Sequence, residues 1–215
     1  MSNSLWILLI STLSIAFVHA LAPDHWMPFA AIAKAQKWNK LKLFWFTLLS
    51  GIGHVGISII FSVIGIILGF SLSKLKNIEG HRGEVVLWLL IGFGIAYMIW
   101  GLKKAREHDH HHHHLDEKAL SKKTVAVWTI FAVVIFGPCE PLVPLVFLGY
   151  NYGWTGVILV SVIFSLVTII MMLGQTILAF MGIQLIKSHA IEKYSHAFAG
   201  LVIALTGVFV MLAGI

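Results

Sequence analysis

Cysteine, charge and proline are all scarce in this chain, and each scarcity excludes something. With a single cysteine, Cys139, no internal disulfide can form, and the count argues against a thiol relay, which needs two. Charged residues make up 11% of the 215 and hydrophobic residues 59%, which does not describe a soluble domain. The polar-apolar alternation of a membrane barrel is missing, as is a nucleotide-binding loop, so direct use of ATP is not expected. All five prolines, Pro23, Pro28, Pro138, Pro141 and Pro144, fall in two short segments.

What the chain has is apolar runs long enough to cross roughly 30 Å of hydrocarbon as helices. Six are expected: Leu5 to Ala33, Leu43 to Ser73, Glu84 to Leu102, Thr124 to Leu148, Trp154 to Ile186 and Ser195 to Ile215. The expected fold class is an all-α integral membrane protein. A net charge of +6 suggests nucleic acid only until the charges are placed. Lys34, Lys37, Lys40 and Lys42 follow the first run, Lys103, Lys104, Arg106, Lys118, Lys122 and Lys123 the third, and Lys187 and Lys193 the fifth. By the positive-inside bias these face the cytoplasm, and both termini lie outside a cell (inner or plasma) membrane. Only Lys74, Lys76 and Arg82 fall in an outer loop, and no lysine or arginine is expected inside a span. Ala20-Leu21-Ala22 would suit signal-peptide cleavage, but nothing basic precedes the run, so it is read as a retained helix.

The run from His19 to Pro28 reads His-Ala-Leu-Ala-Pro-Asp-His-Trp-Met-Pro, with each polar residue costly in hydrocarbon unless it has a role. On a straight helix, Asp24 and His25 would point about 140° and 240° away from His19 and the three would spread over about 9 Å. They converge only if the helix breaks. Pro23 and Pro28 cannot donate to the carbonyls of His19 and Asp24, so a break is expected there, with loose backbone lining a cavity. The bland alternative is a proline kink whose polar residues pair with neighbouring helices.

Three spans on either side of a cytoplasmic loop place the two halves in opposite orientation, an inverted-repeat plan with residues 1–102 and 124–215 as the repeats and 103–123 as the loop. Helices 1 and 4 would both be broken at prolines. Asp24-His-Trp-Met-Pro28 has a counterpart in Glu140-Pro-Leu-Val-Pro144, and Asp24 and Glu140 are the acids deepest in apolar runs. With no cationic side chain expected nearby, a bound cation or a proton is the partner they call for.

Gly51-Ile-Gly53-His54-Val-Gly56 puts a histidine among glycines that allow close helix approach, suiting either a packing histidine or one facing helix 1. Helix 5 holds Ser165, Thr168, Met171, Met172 and Gln175; Thr168 and Met172 are candidate additional ligands, although methionines more often fill gaps. Gly92, Gly94, Gly200, Gly207 and Gly214 in helices 3 and 6 suit packing. The loop carries His108, His110, His111, His112, His113 and His114, a tract able to capture transition metals loosely or to be merely solvated.

Neutral imidazole with carboxylate suits Ni²⁺, Co²⁺, Zn²⁺, Fe²⁺ or Cu²⁺, whereas Mg²⁺ and Ca²⁺ prefer oxygen throughout. His19, Asp24, His25, His54 and Glu140 are the expected metal residues. Cys139 adds a soft donor suited to Cu⁺ or another thiophilic ion. Protonation of such ligands expels the cation, so exchange of metal for protons is a natural coupling. The metal is then substrate, and no prosthetic group is expected. The partners are this ion, lipid and a second copy of the chain in a homodimer, without nucleic acid. The competing readings are a membrane metalloenzyme, a metal sensor or accessory protein, and an exporter of a sulfur-containing anion, for which no buried cation is expected.

His19-x4-Asp24-His25 resembles the H-x4-DH signature of the nickel/cobalt transporter family, and Gly53-His54 resembles the Gly-His of that family's next helix. Gly137-Pro-Cys-Glu140 and the short six-helix length are similar to the urease-accessory-type transmembrane proteins grouped with the sulfite exporter-like superfamily. The His-rich loop is similar to that of the nickel/cobalt efflux branch. The resemblance implies transport of nickel or cobalt by a protein that is not an enzyme, with His19, Asp24, His25 and His54 as ligands or selectivity groups and efflux favoured over uptake.

Overall fold

The computed structural model of the chain describes residues 3–107, 117–137, 139–185 and 192–213, and no strand occurs among them. α1 (Asn3–Ala20) leads through a 3-10 turn (Pro23–His25) into the short α2 (Met27–Ala35). The long α3 (Lys40–Ile67) and α4 (Leu72–Glu107) follow. α5 (Glu117–Phe136) is separated by a break from the short α6 (Leu142–Tyr150), after which come α7 (Gly153–Leu185) and α8 (Ser195–Ala213). Five helices, α1, α3, α4, α7 and α8, are long and apolar enough to cross a membrane, and the apolar part of α5, Thr124–Phe136, is shorter. His108, His110, His111, His112, His113, His114 and Pro138 lie outside the described residues.

The distribution of polarity is inverted relative to a soluble domain. Large apolar side chains such as Ile7, Ile10, Val18, Ile170 and Leu178 are exposed, while Thr12, Thr47, Ser50, His54, Ser58 and Thr168 are buried. A helix assembly in lipid is built this way, since hydrocarbon outside costs the apolar side chains nothing and polar groups find partners within. The helix ends follow local chemistry. Asn39 caps α3 by accepting from the Lys42 N–H at 2.8 Å. At the other end Gly69 takes φ +65°, and the Phe70 N–H reaches back to the Gly65 carbonyl at 2.9 Å, which closes the last turn.

Beyond Gly69 the chain re-enters helix at Leu72, so the outer loop expected around Lys74, Lys76 and Arg82 is instead the first part of α4. No proline interrupts this stretch, and it is amphipathic: Leu75 and Glu79 are buried while Lys74 and Lys76 are exposed. Arg82 therefore lies against the protein interior, contrary to the expectation that no cationic residue would.

The element order of the first half recurs in the second: helix, break, a helix of nine residues, two further helices. Contacts recur as well. α1 packs on α7, and its counterpart α5 on α3; α2 packs on α8 and α7, and its counterpart α6 on α4 and α3; α3 pairs with α7 and α4 with α8.

The α4–α8 pairing runs along most of α8 and depends on glycine. A Cβ at Gly94 would lie 2.8 Å from Ala204 Cα and from the Gly200 carbonyl oxygen, and one on Gly200 would meet the backbone of Met98. Gly207 faces Ile91 in the same seam, whereas Gly92 has open space and Gly214 is outside the described residues. Gly94→Val is expected to lower unfolding stability in detergent by about 1–3 kcal/mol, the usual cost of overpacking. Gly92→Ala should be neutral or stabilising by up to about 1 kcal/mol, because only the flexibility of glycine is lost there. Equal effects from the two substitutions would show that the close approach is not what holds the helices together.

Candidate metal centre

α1 ends one residue after His19, and the chain then turns sharply. The Ala22 N–H bonds the His19 carbonyl and the His25 N–H bonds the Ala22 carbonyl, at 3.1 and 3.3 Å, so the backbone winds more tightly than an α-helix. Carbonyls exposed by the break are taken up by side chains. Gln175 Nε2 on α7 donates to Ala20 O at 3.2 Å, and Trp26 Nε1 donates to Leu21 O at 3.3 Å. The tighter winding brings His19 and His25 together, with ring centroids 4.6 Å apart.

His54, from the middle of α3, completes a cluster of three imidazoles. Its centroid is 5.0 Å from that of His25 and 6.3 Å from that of His19. Two of the rings have a defined proton. His54 Nδ1 lies 2.9 Å from the Val134 carbonyl oxygen on α5, and since a carbonyl only accepts, Nδ1 donates and Nε2 is left with its lone pair. His25 Nδ1 lies 2.9 Å from Asp24 Oδ1, and a carboxylate there imposes the same tautomer. Both Nε2 atoms are buried and have no hydrogen-bond partner. An imidazole with one nitrogen tied to a carboxylate or backbone carbonyl and the other bare is prepared as a metal ligand, because the outer bond fixes the tautomer and raises the basicity of the free nitrogen.

The second half of the chain contributes Cys139, in the break between α5 and α6. Its Sγ is fully buried and 3.4 Å from His19 Nε2. Among the described residues, His19, His54 and Cys139 form the one group of three whose ligand atoms all lie within 4.8 Å of one another. The cluster thus joins α1, α3 and the α5–α6 break. It sits between two apolar cores, one containing Val134 and Met172, the other Cys139 and Phe164.

The remaining sequence-predicted residues fall in different places. Asp24 is outside that group of three and bonds His25 from the edge, with 30% of its side chain exposed. Glu140 is exposed and also outside the group, so the neighbouring thiol, rather than the acid, is turned inward. Thr168 is fully buried with its hydroxyl unpartnered. Met172 is fully buried and belongs to the apolar core beside α3 at Gly51, where a Cβ would meet its sulfur at 3.4 Å.

Sequence reasoning missed two features. Arg82 Nη2 donates to Ser58 Oγ and to the Gly137 carbonyl, both at 3.2 Å, and lies 2.9 Å from Glu79 Oε2. Glu79 is 2% exposed, and neither of its oxygens has a well-aligned donor. The i,i+3 spacing of Glu79 and Arg82 in a run without proline was the available signal. The second feature is a seam of small polar residues. Thr47, Ser50, His54, Ser58 and Ser62 lie at spacings of three or four on the buried face of α3, and α7, which packs on α3, carries Ser161, Ser165, Thr168 and Thr176. The hydroxyls of Thr47, Ser50, Ser161, Ser165, Thr168 and Thr176 have no partner.

No protein-family model, curated protein or solved structure matches the chain. The chemistry of the site therefore stands on its own geometry.

Proposed function

We propose that the chain is a secondary transporter of a divalent transition-metal cation, built as two inverted three-helix repeats in a cell membrane. The observation that carries this reading is the pair of buried, bare Nε2 atoms on His25 and His54, each on a ring whose other nitrogen is already bonded. Buried lone pairs without donors are costly, and a cation is the partner that three converging imidazoles call for. The paired contacts α1–α7 with α5–α3, and α2–α8 with α6–α4, are those that a twofold axis relating the two halves would generate, as an inverted repeat requires.

Transport, as opposed to a fixed metal, is supported by the row of small polar residues on the buried face of α3. From Thr47 to Ser62 it extends for about 22 Å with His54 near its middle, so the ligands lie on a polar path through an apolar body. A buried metalloenzyme site would need no such path. Arg82 supplies the interior cation that an anion exporter would require, but Glu79 lies against it at 2.9 Å and offsets its charge. Nickel or cobalt is what the resemblance of His19-x4-Asp24-His25 implies. On the charge distribution both termini are outside, the His-rich loop captures metal on the cytoplasmic side, and movement is outward. Proton exchange follows from ligand chemistry, since each proton taken up by an imidazole competes with the ion.

Metal flux into proteoliposomes tests this directly, with Ni²⁺, Co²⁺, Zn²⁺, Mn²⁺ and Cu⁺ compared. His25→Ala should abolish flux, and Asp24→Ala should reduce metal affinity by roughly 10–100-fold, the usual cost of losing the group that orients a ligand. Stoichiometric binding without flux would replace transport with a sensor or enzyme.

A further inference from the structure

We infer that Cys139 binds the transported ion as a thiolate, together with His19 and His54, and that the site therefore takes a thiophilic d¹⁰ ion, Zn²⁺ or Cu⁺, in preference to Ni²⁺. The inference rests on the transporter reading and changes only which ion the site prefers. The only sulfur-bearing acid of the chain is also the side chain that the second half presents to the imidazoles. Its Sγ is 3.4 Å from His19 Nε2, close to hydrogen-bond distance, and an ion inserted between them would replace a weak contact with two bonds. The nitrogen that His54 has left to offer is Nε2, because Nδ1 is committed to Val134. That Nε2 is buried without a partner, so the thiol does not stand alone.

Two nitrogens and one sulfur, gathered within 4.8 Å of one another, are the donor types that zinc and copper(I) take in tetrahedral or trigonal sites. His25 lies outside this group of three, although its ring centroid is 4.6 Å from that of His19 and 5.0 Å from that of His54. Octahedral oxygen-rich coordination has little support here, because Glu140 is exposed and Asp24 Oδ1 is engaged by His25. Binding needs no change of oxidation state. The Sγ–H bond breaks, its electron pair forms the metal–sulfur bond, and one proton leaves to solvent for each ion bound through the thiolate. Entry of Zn²⁺ as the dication with release of that proton leaves one positive charge fewer to bury.

The test uses the full-length protein in detergent under reducing, oxygen-free conditions, with Co²⁺ as the spectroscopic probe for Zn²⁺. A thiolate-to-cobalt charge-transfer band together with intense visible d–d bands is expected, and added Zn²⁺ should bleach both. The loop histidines bind cobalt too, but they have no sulfur, and the chain has a single cysteine, so the charge-transfer band reports Cys139 alone. In wild-type protein Zn²⁺ and Cu⁺, each titrated separately, should bind at least about 100-fold more tightly than Ni²⁺. Cys139→Ser should erase the charge-transfer band and weaken Zn²⁺ and Cu⁺ by more than the roughly 10–100-fold that an outer-shell loss costs, while Ni²⁺ changes less. Cobalt bound without a charge-transfer band, or Ni²⁺ bound more tightly than Zn²⁺ and Cu⁺, overturns the inference while leaving metal transport standing. Absence of any stoichiometric binding overturns both. The wild-type spectrum decides even if the Cys139→Ser protein fails to fold.

Discussion

His54→Ala is expected to abolish metal flux and to weaken stoichiometric metal binding by more than about 100-fold, beyond what loss of an orienting partner costs. The expectation follows from how His54 is held. Its Nδ1–H is bonded to the Val134 carbonyl on α5, so its bare Nε2 is aimed by a neighbour from the other half of the chain. Removing the ring takes away a ligand and also a polar link between the middle of α3 and α5. The Val134 carbonyl keeps the Gly137 N–H as a donor at 3.2 Å, so loss of the His54 bond should cost only about 0.5–1.5 kcal/mol of stability, the net worth of one hydrogen bond. His54→Gln should recover part of that stability, since its amide can donate to a nearby carbonyl, without restoring metal affinity. Isothermal titration with Zn²⁺ and Ni²⁺ in detergent separates the two effects from thermal unfolding. Binding within tenfold of wild type in His54→Ala would remove His54 from the site. Wild-type binding should also weaken as the pH falls through the imidazole range, about 6.5 for an unperturbed ring, because protons take the lone pairs the ion needs.

How the site was legible in sequence follows from cost. His19, Asp24, His25 and His54 stood out because each is expensive in an apolar run, and the structure brings all three of these imidazole rings together. The prominence of Asp24 did not reveal its place. A carboxylate beside a histidine reads as a ligand in sequence, but the bond it makes is to His25 Nδ1, which only three-dimensional geometry decides. Between Cys139 and Glu140 the sequence favoured the acid on charge, whereas the break after Phe136 turns the thiol inward and the acid outward. The local winding that makes this choice depends on the ends of α5 and α6, and adjacent residues in a break carry no periodic signal. The all-helical fold and its long apolar helices were legible in the apolar runs. The reading failed around Lys74–Arg82, where a cluster of charges imitates a loop, while Leu75, Glu79 and Arg82, at spacings of four and three, fall on the inward face of a helix.

The same misread segment yields the second large effect. Arg82→Met is expected to lower unfolding stability by about 3 kcal/mol, the lower end of the 3–5 kcal/mol range for breaking a buried pair, because 22% of the arginine side chain remains exposed. Glu79 is the reason for the size of the effect. At 2% exposure its carboxylate has no aligned hydrogen-bond donor, so the nearby guanidinium is what offsets its charge. Glu79→Gln should cost less, since Arg82 keeps Ser58 and Gly137 as acceptors and some access to solvent. In the double variant Glu79→Gln/Arg82→Met no charge is stranded, and stability should return to within about 1–2 kcal/mol of wild type, the residue reflecting the vacated Gly137 carbonyl. Such non-additivity is the signature of the pair, because two independent sites would sum. Metal affinity should not recover in parallel. Arg82 anchors Gly137, two residues before Cys139, and Ser58, one turn from His54, so both variants lacking the arginine release two supports of the ligand cluster at once. A double variant as unstable as Arg82→Met alone would show that the arginine acts through those two bonds and that Glu79 needs no partner.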